Sequence, residues 1–121
     1  MTEYEKMRNE ELYRFDDEQV LHSVEHANRL CAKLQTMTAY DEGYRETIEK
    51  LIPGIPKSSC VNPPVHCDHG HGLKIGDDVF VNYNATFLDG GIITIGSRTK
   101  IGPNCQLMTP NHPIDYMERR K

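Results

Sequence analysis

The chain has 121 residues, which suits one compact domain with a short appended element and leaves no room for a second full one. Of these, 37% are hydrophobic and 26% charged, and no apolar run approaches the ~18 residues of a membrane helix, so no membrane span and a soluble protein are expected. The formal net charge is -4 with acids and bases interspersed, a pattern that gives no field for a polyphosphate backbone and argues against nucleic acid as a partner.

At the start, Met1-Thr2-Glu3-Tyr4-Glu5 lacks the basic residues and apolar stretch of a secretory signal, so a cytoplasmic location is expected. Thr2-x-x-Glu5 fits a capping box and predicts a short helix to about Tyr13. Asp16 or Asp17 can cap a second helix, along which Val20, Val24, Ala27, Cys31 and Leu34 share one face. Tyr40, Tyr44, Ile48 and Leu51 repeat that spacing in a third, which Pro53-Gly54 stops by removing a donor and supplying a turn. Cys31, Cys60, Cys67 and Cys105 form no C-x-x-C pair and read as reduced thiols.

Near Pro53 the composition changes, from charged helix-period segments to Gly, Pro, Asn and β-branched residues. Domain boundaries follow: a helical segment over 1–53 and a repeat region over 54–121. In the latter, Ile75, Val81 and Phe87 are spaced six apart, as are Ile95, Ile101 and Leu107, while Gly76, Gly96 and Gly102 follow aliphatic residues. The two runs are out of phase by two residues, at Asp89-Gly90-Gly91, where an insertion at a corner is expected. Such hexads suit a three-sided coil, each hexad a flat face with one aliphatic inward and a small residue where the chain passes close to its neighbour. No helical period matches a step of six, and glycines would cost a helix about 1 kcal/mol each. An ordinary sandwich would instead show strict alternation with regular turns. The fold class is mainly β with two or three N-terminal α-helices, and by count about two coils are present.

The ordered series Asn62-Pro63-Pro64-Val65-His66-Cys67-Asp68, Ile75-Gly76-Asp77-Asp78-Val79-Phe80-Val81-Asn82-Tyr83-Asn84, Leu88-Asp89, Ile95-Gly96, Ile101-Gly102-Pro103-Asn104 and Asn111-His112-Pro113 resembles the maltose, galactoside and nodulation-type O-acetyltransferases, which are hexapeptide-repeat enzymes. The resemblance spans essentially the whole chain. It implies a left-handed parallel β-helix, against the usual right-handed rule for parallel crossovers, and a homotrimer with active sites between subunits. It also implies acetyl-CoA as co-substrate and a sugar as acceptor. Family members continue for several coils past the His-Pro loop, so the coils that carry most coenzyme A contacts are expected to be missing from a chain truncated at Lys121.

The chemistry needs a base, because an alcohol is a poor nucleophile until its proton is removed. By the resemblance, His112 is that general base; imidazole suits the task near neutral pH. It precedes Pro113, which holds it out of helical geometry, so Thr109 to Pro113 reads as a stiff loop leaving the coil. Asn82 matches a position contacting the acceptor and the transfer site, where an amide both donates and accepts. Asp68 matches a small polar position near the sugar hydroxyls, and Asp89 one that could hold a hydroxyl or orient the loop. The acidic sugar contact that the family places after a Leu-Tyr pair is displaced here: Leu12-Tyr13 is followed by Arg14, with acids at Asp16 and Asp17. Asp68 or Asp89 could instead cap a turn.

His66-Cys67-Asp68-His69-Gly70-His71 raises a metal site, since all three side-chain types are ligands. On a strand, however, His66 and Asp68 face one way and Cys67 and His69 the other, so no metal is expected. A second function class competes with the enzyme: a catalytically incompetent trimerising or sugar-binding fragment, which titration with coenzyme A would distinguish.

Overall fold

The computed structural model describes residues 1–109. Helix α1, Glu3–Arg8, begins with a full capping box: the Thr2 hydroxyl accepts from the Glu5 N–H and the Glu5 carboxylate accepts from the Thr2 N–H. It ends well before Tyr13, because Asn9 leaves helical geometry and Glu10 takes a φ of 59°, a left-handed conformation that breaks the ladder. Helix α2, Glu18–Leu34, is capped by Asp17 rather than Asp16, through the N–H groups of Gln19 and Val20. Val20, Ala27, Cys31 and Leu34 are buried along its inner face. Helix α3, Tyr44–Leu51, buries Tyr44, Ile48 and Leu51, but Tyr40 lies outside it and is 98% exposed. Thr38 and Asp41 close a turn on each other, so the apolar period extends no further back than Tyr44.

Eight short strands follow among the described residues: β1 Cys60–Val61, β2 Val65–Cys67, β3 Leu73–Ile75, β4 Phe80–Val81, β5 Ala85–Leu88, β6 Ile93–Ile95, β7 Lys100–Ile101 and β8 Gln106–Met108. They form three parallel sheets ordered β1-β4-β7, β2-β5-β8 and β3-β6. Successive strands thus visit three sheets in rotation, which makes a three-sided coil. Val61, Val81 and Ile101 stack in register, as do Cys67, Phe87 and Leu107, and Ile75 on Ile95. The predicted column exists: Val81 and Phe87 are fully buried, Ile75 and Ile95 nearly so, and Ile101 and Leu107 pack against them at the last described turn.

The register corrects the period. Cys67 and Ile75 are separated like Phe87 and Ile95, so the two extra residues recur on the same side of both complete turns and are no isolated insertion. Among the described residues the coil count is two full turns and two sides of a third. The first turn escapes a hexad reading because the eight-residue step from Cys67 to Ile75 separates Val61 and Cys67 from the six-spaced run that begins at Ile75.

Corners repeat with the turn. Asp78 and Arg98 adopt φ of 56° and 66°, and Asn84 and Asn104 φ of 64° and 62°, the left-handed region that Asn and Asp tolerate best. At Gly76 a Cβ would lie 2.6 Å from Ser97 Oγ and 2.7 Å from Ser97 N, so the coil above requires a hydrogen there. Below the first turn, α3 covers the free strand edge. The Tyr44 hydroxyl donates to the Val61 carbonyl and accepts its N–H, while Arg45 donates to the carbonyls of Ile55, Pro56 and Ser59. Among the described residues no helix is long and apolar enough to cross a membrane.

Candidate functional site

After β2 the chain turns sharply at Asp68-His69-Gly70. Gly70 has a φ of 84°, and a Cβ on it would sit 2.3 Å from the Leu51 carbonyl oxygen. The loop is held from the next turn of the coil by Asp89, which is fully buried. Its Oδ1 accepts from the His69 N–H and its Oδ2 from the Gly72 N–H, each at 2.9 Å. Both carboxylate oxygens of Asp89 are therefore committed to the loop backbone.

Helices α1 and α2 close over this loop through a polar cluster. Arg8 donates through Nη1 to the carbonyls of Asp89 and Gly90 and approaches His71 Nδ1 to 2.6 Å through Nη2. The Tyr4 hydroxyl lies 2.9 Å from the same Nδ1, its ring stacked on His71, and the Arg8 guanidinium sits over the Tyr4 ring. Ser23 Oγ bridges His69 Nδ1 at 2.6 Å and His71 Nε2 at 2.8 Å. Burial, with the Arg8 charge beside it, pushes His69 down to about 4 even though Asp89 pulls the other way, and lowers His71 for the same leading reason. Both shifts favour the neutral ring at physiological pH.

Next to the cluster opens a cleft of about 370 Å³. Met7, Tyr13, Phe15, Val20 and Val24 line it from the helical segment, and Asp68, His69, Leu88, Gly90, Met108 and Thr109 from the coil. A mostly apolar wall with a few polar groups is the usual composition of a small-molecule site. Burial, and then the Asp89 charge, raise the Asp68 carboxyl. Burial also raises the Tyr13 hydroxyl, with Asp68 contributing.

Of the residues singled out from sequence, Asp68 lies in the cleft and Asp89 beneath it. Asn82 lies at a coil corner outside the cleft lining; its Oδ1 accepts from the Tyr83 N–H and its own N–H donates to Ile101. Asp17 caps α2, and exposed Asp16 pairs with Arg14 at 3.2 Å; neither lines the cleft. His112 falls outside the described residues, three positions beyond Thr109. The strand alternation inferred for the histidine stretch holds at exposed His66 and buried Cys67. It ends there, since the turn brings Asp68 and His69 to the same cleft. Among the described residues no group of three or more His, Cys, Asp or Glu side chains is arranged to hold a metal ion. Arg8, Ser23, Phe15 and the role of His69 were not readable from sequence, because they meet only after the helices fold back on the coil.

No protein-family model matches the chain. A Schizosaccharomyces pombe relative provisionally named an acetyltransferase is 35% identical over 127 residues, covering 97% of this chain and 61% of its own length. Among solved structures, a hexapeptide-repeat acetyltransferase of Vibrio cholerae in complex with acetyl coenzyme A is 36% identical with a TM-score of 0.83, covering 99% of this chain and 65% of that one. A maltose O-acetyltransferase of Clostridium difficile is 31% identical with a TM-score of 0.87 and the same two coverages. The chain thus spans less than two thirds of the length of the proteins it matches.

Proposed function

Since this chain belongs to the hexapeptide-repeat acetyltransferases, the family that includes the maltose O-acetyltransferases, we propose that it moves an acetyl group from acetyl-CoA to a sugar hydroxyl. The observation that carries the reading is the cleft between helices and coil. Asp68 offers a half-buried carboxyl to hydroxyl groups there, on apolar walls suited to the carbon face of a sugar ring. Thr109 lies on the rim, tied to Leu88 and Gly91. His112 follows Thr109 by three positions in the sequence, and it is the base this reading assigns from the family resemblance. In this reading 1–53 forms its helical wall and 54–121 supplies the coil, winding left-handed. A homotrimer in the cytoplasm, with the donor bound between subunits, completes the proposal.

His112 takes the proton of the acceptor hydroxyl as its oxygen attacks the thioester carbonyl carbon. The C–S bond then breaks, the new ester keeps the acetyl group, and the coenzyme leaves as a thiolate that recovers the proton from the imidazolium. Asn82 is the proposed amide contact near the transfer site. Asp89 acts through the loop it holds, and Asp16 and Asp17 are candidate acidic contacts at the sugar entrance. The test is release of free coenzyme thiol from acetyl-CoA with maltose, glucose and β-galactosides in turn. Turnover of one acceptor that is lost in His112→Ala supports the assignment. Thiol release unchanged in that variant removes His112 from the chemistry.

A further inference from the structure

The hydrogen-bond chain beside the cleft has one arrangement of protons that also uses the Ser23 proton within the chain. Arg8 only donates and does not lose its charge, and its Nη2 lies 2.6 Å from His71 Nδ1. That nitrogen must therefore be bare, so neutral His71 carries its proton on Nε2. From there it donates to Ser23 Oγ at 2.8 Å. The serine hydroxyl owns a single proton, which it then gives to His69 Nδ1 at 2.6 Å. His69 is left with its proton on Nε2. Placing that proton on Nδ1 instead would make Ser23 Oγ accept from both rings and leave its own proton without an acceptor among the described residues.

His69 lines the cleft, and among the described residues none accepts from its Nε2. No described buried side-chain nitrogen or oxygen lacks a partner, so the Nε2–H opens onto the cleft. We propose that His69 is a specificity residue: its Nε2–H, held in that tautomer by Arg8, His71 and Ser23, donates to an oxygen of the acceptor while Asp68 accepts from a neighbouring hydroxyl. A donor and an acceptor side by side read a polyhydroxylated molecule with adjacent hydroxyls and disfavour a simple alcohol or an ammonium group at the His69 position. Arg8, His71 and Ser23 are positioning residues. This step rests on the cleft being the acceptor site, but the tautomer does not.

Long-range 1H–15N spectra of the full chain labelled with 15N-histidine test the tautomer directly. Near neutral pH both His69 and His71 should be uncharged with the proton on Nε2, and Ser23→Ala should let His69 populate the Nδ1–H form. A charged or Nδ1–H His69 in the parent overturns the proposal. Titration with maltose provides the second arm: it should move the His69 Nε2 resonance, and His69→Leu should weaken binding by about three- to tenfold. His69→Gln keeps an N–H donor and should stay within about twofold of the parent. Parent-like affinity in a folded His69→Leu overturns the specificity role, and if that variant does not fold, the Ser23→Ala spectrum decides. Absence of any maltose-induced shift in the parent overturns the sugar reading, while the tautomer measurement still decides whether His69 presents its donor.

Discussion

Replacing Asp89 with asparagine changes one oxygen to an amide with hardly any change of volume, and so isolates the bonds that hold the loop after β2. In the parent, two backbone N–H groups end on the carboxylate at 2.9 Å each, inside a residue with no exposed surface. An asparagine oxygen can accept from only one of them, and its NH2 then faces the other donor. The loss is one hydrogen bond to a charged group, worth about 1.5–3 kcal/mol, with a buried N–H left unpaired, for a total of about 2–4 kcal/mol. Against a typical stability of about 5–15 kcal/mol this is a large fraction. Urea unfolding followed by far-UV circular dichroism, at one fixed protein concentration, should show the midpoint falling by about 1–2 M with an unchanged slope, given slopes of about 1–3 kcal/mol/M. A midpoint within about 0.3 M of the parent would refute the view that both oxygens carry the loop.

Gly76→Ala places a methyl against the Ser97 backbone and should cost about 1–3 kcal/mol by overpacking, whereas Gly96→Ala, which meets no described atom within 4 Å, should change thermal midpoints little. Between about pH 6.5 and pH 4 the unfolded chain binds a proton that neutral His69 refuses, and His71, lowered from its usual value, acts in the same direction. Stability should therefore fall as pH drops through that window, with a slope of up to about 1.4 kcal/mol per pH unit for each histidine. Asp68, whose raised carboxyl takes its proton earlier in the folded state, opposes part of this, and unfolding midpoints of the parent and His69→Gln across the window should show a shallower slope in the variant. His112→Ala should lower kcat by about 10²–10⁴-fold while leaving calorimetric affinity for maltose unchanged.

The coil was legible because its constraint is local in sequence: inward apolar residues recur six apart within each run, and at Gly76 a glycine follows where Ser97 passes close. Val61 and Cys67 were overlooked because the eight-residue step to Ile75 separates them from that run, and the true period was overlooked with them. The starts of α1 and α2 were legible from Thr2 and the Asp16-Asp17 pair, and the end of α3 from Pro53-Gly54. The end of α1 and the start of α3 were not, since Glu10 and the Thr38 to Asp41 turn stop the pattern by backbone conformation rather than by a breaker residue. Of the residues lining the cleft, Asp68 was singled out from its motif. The imidazole arrangement could not be read that way, because Ser23 and Arg8 approach His69 and His71 from helices far away in sequence, and only the folded chain shows which nitrogen is bare.

The recurring register of the strands also sets the unit in which such a molecule can change length. Removing or duplicating a whole turn returns every inward side chain to its column and every left-handed corner to its place, whereas losing a single residue from β4 or β5 would swing the following side chains through the wall of the coil. The long side of each turn is the exception, since its residues between β2 and β3, and between β5 and β6, already leave the flat face and build the loop and the cleft rim. Variation in what the cleft accepts is therefore expected to accumulate along that one side, while the other two stay uniform.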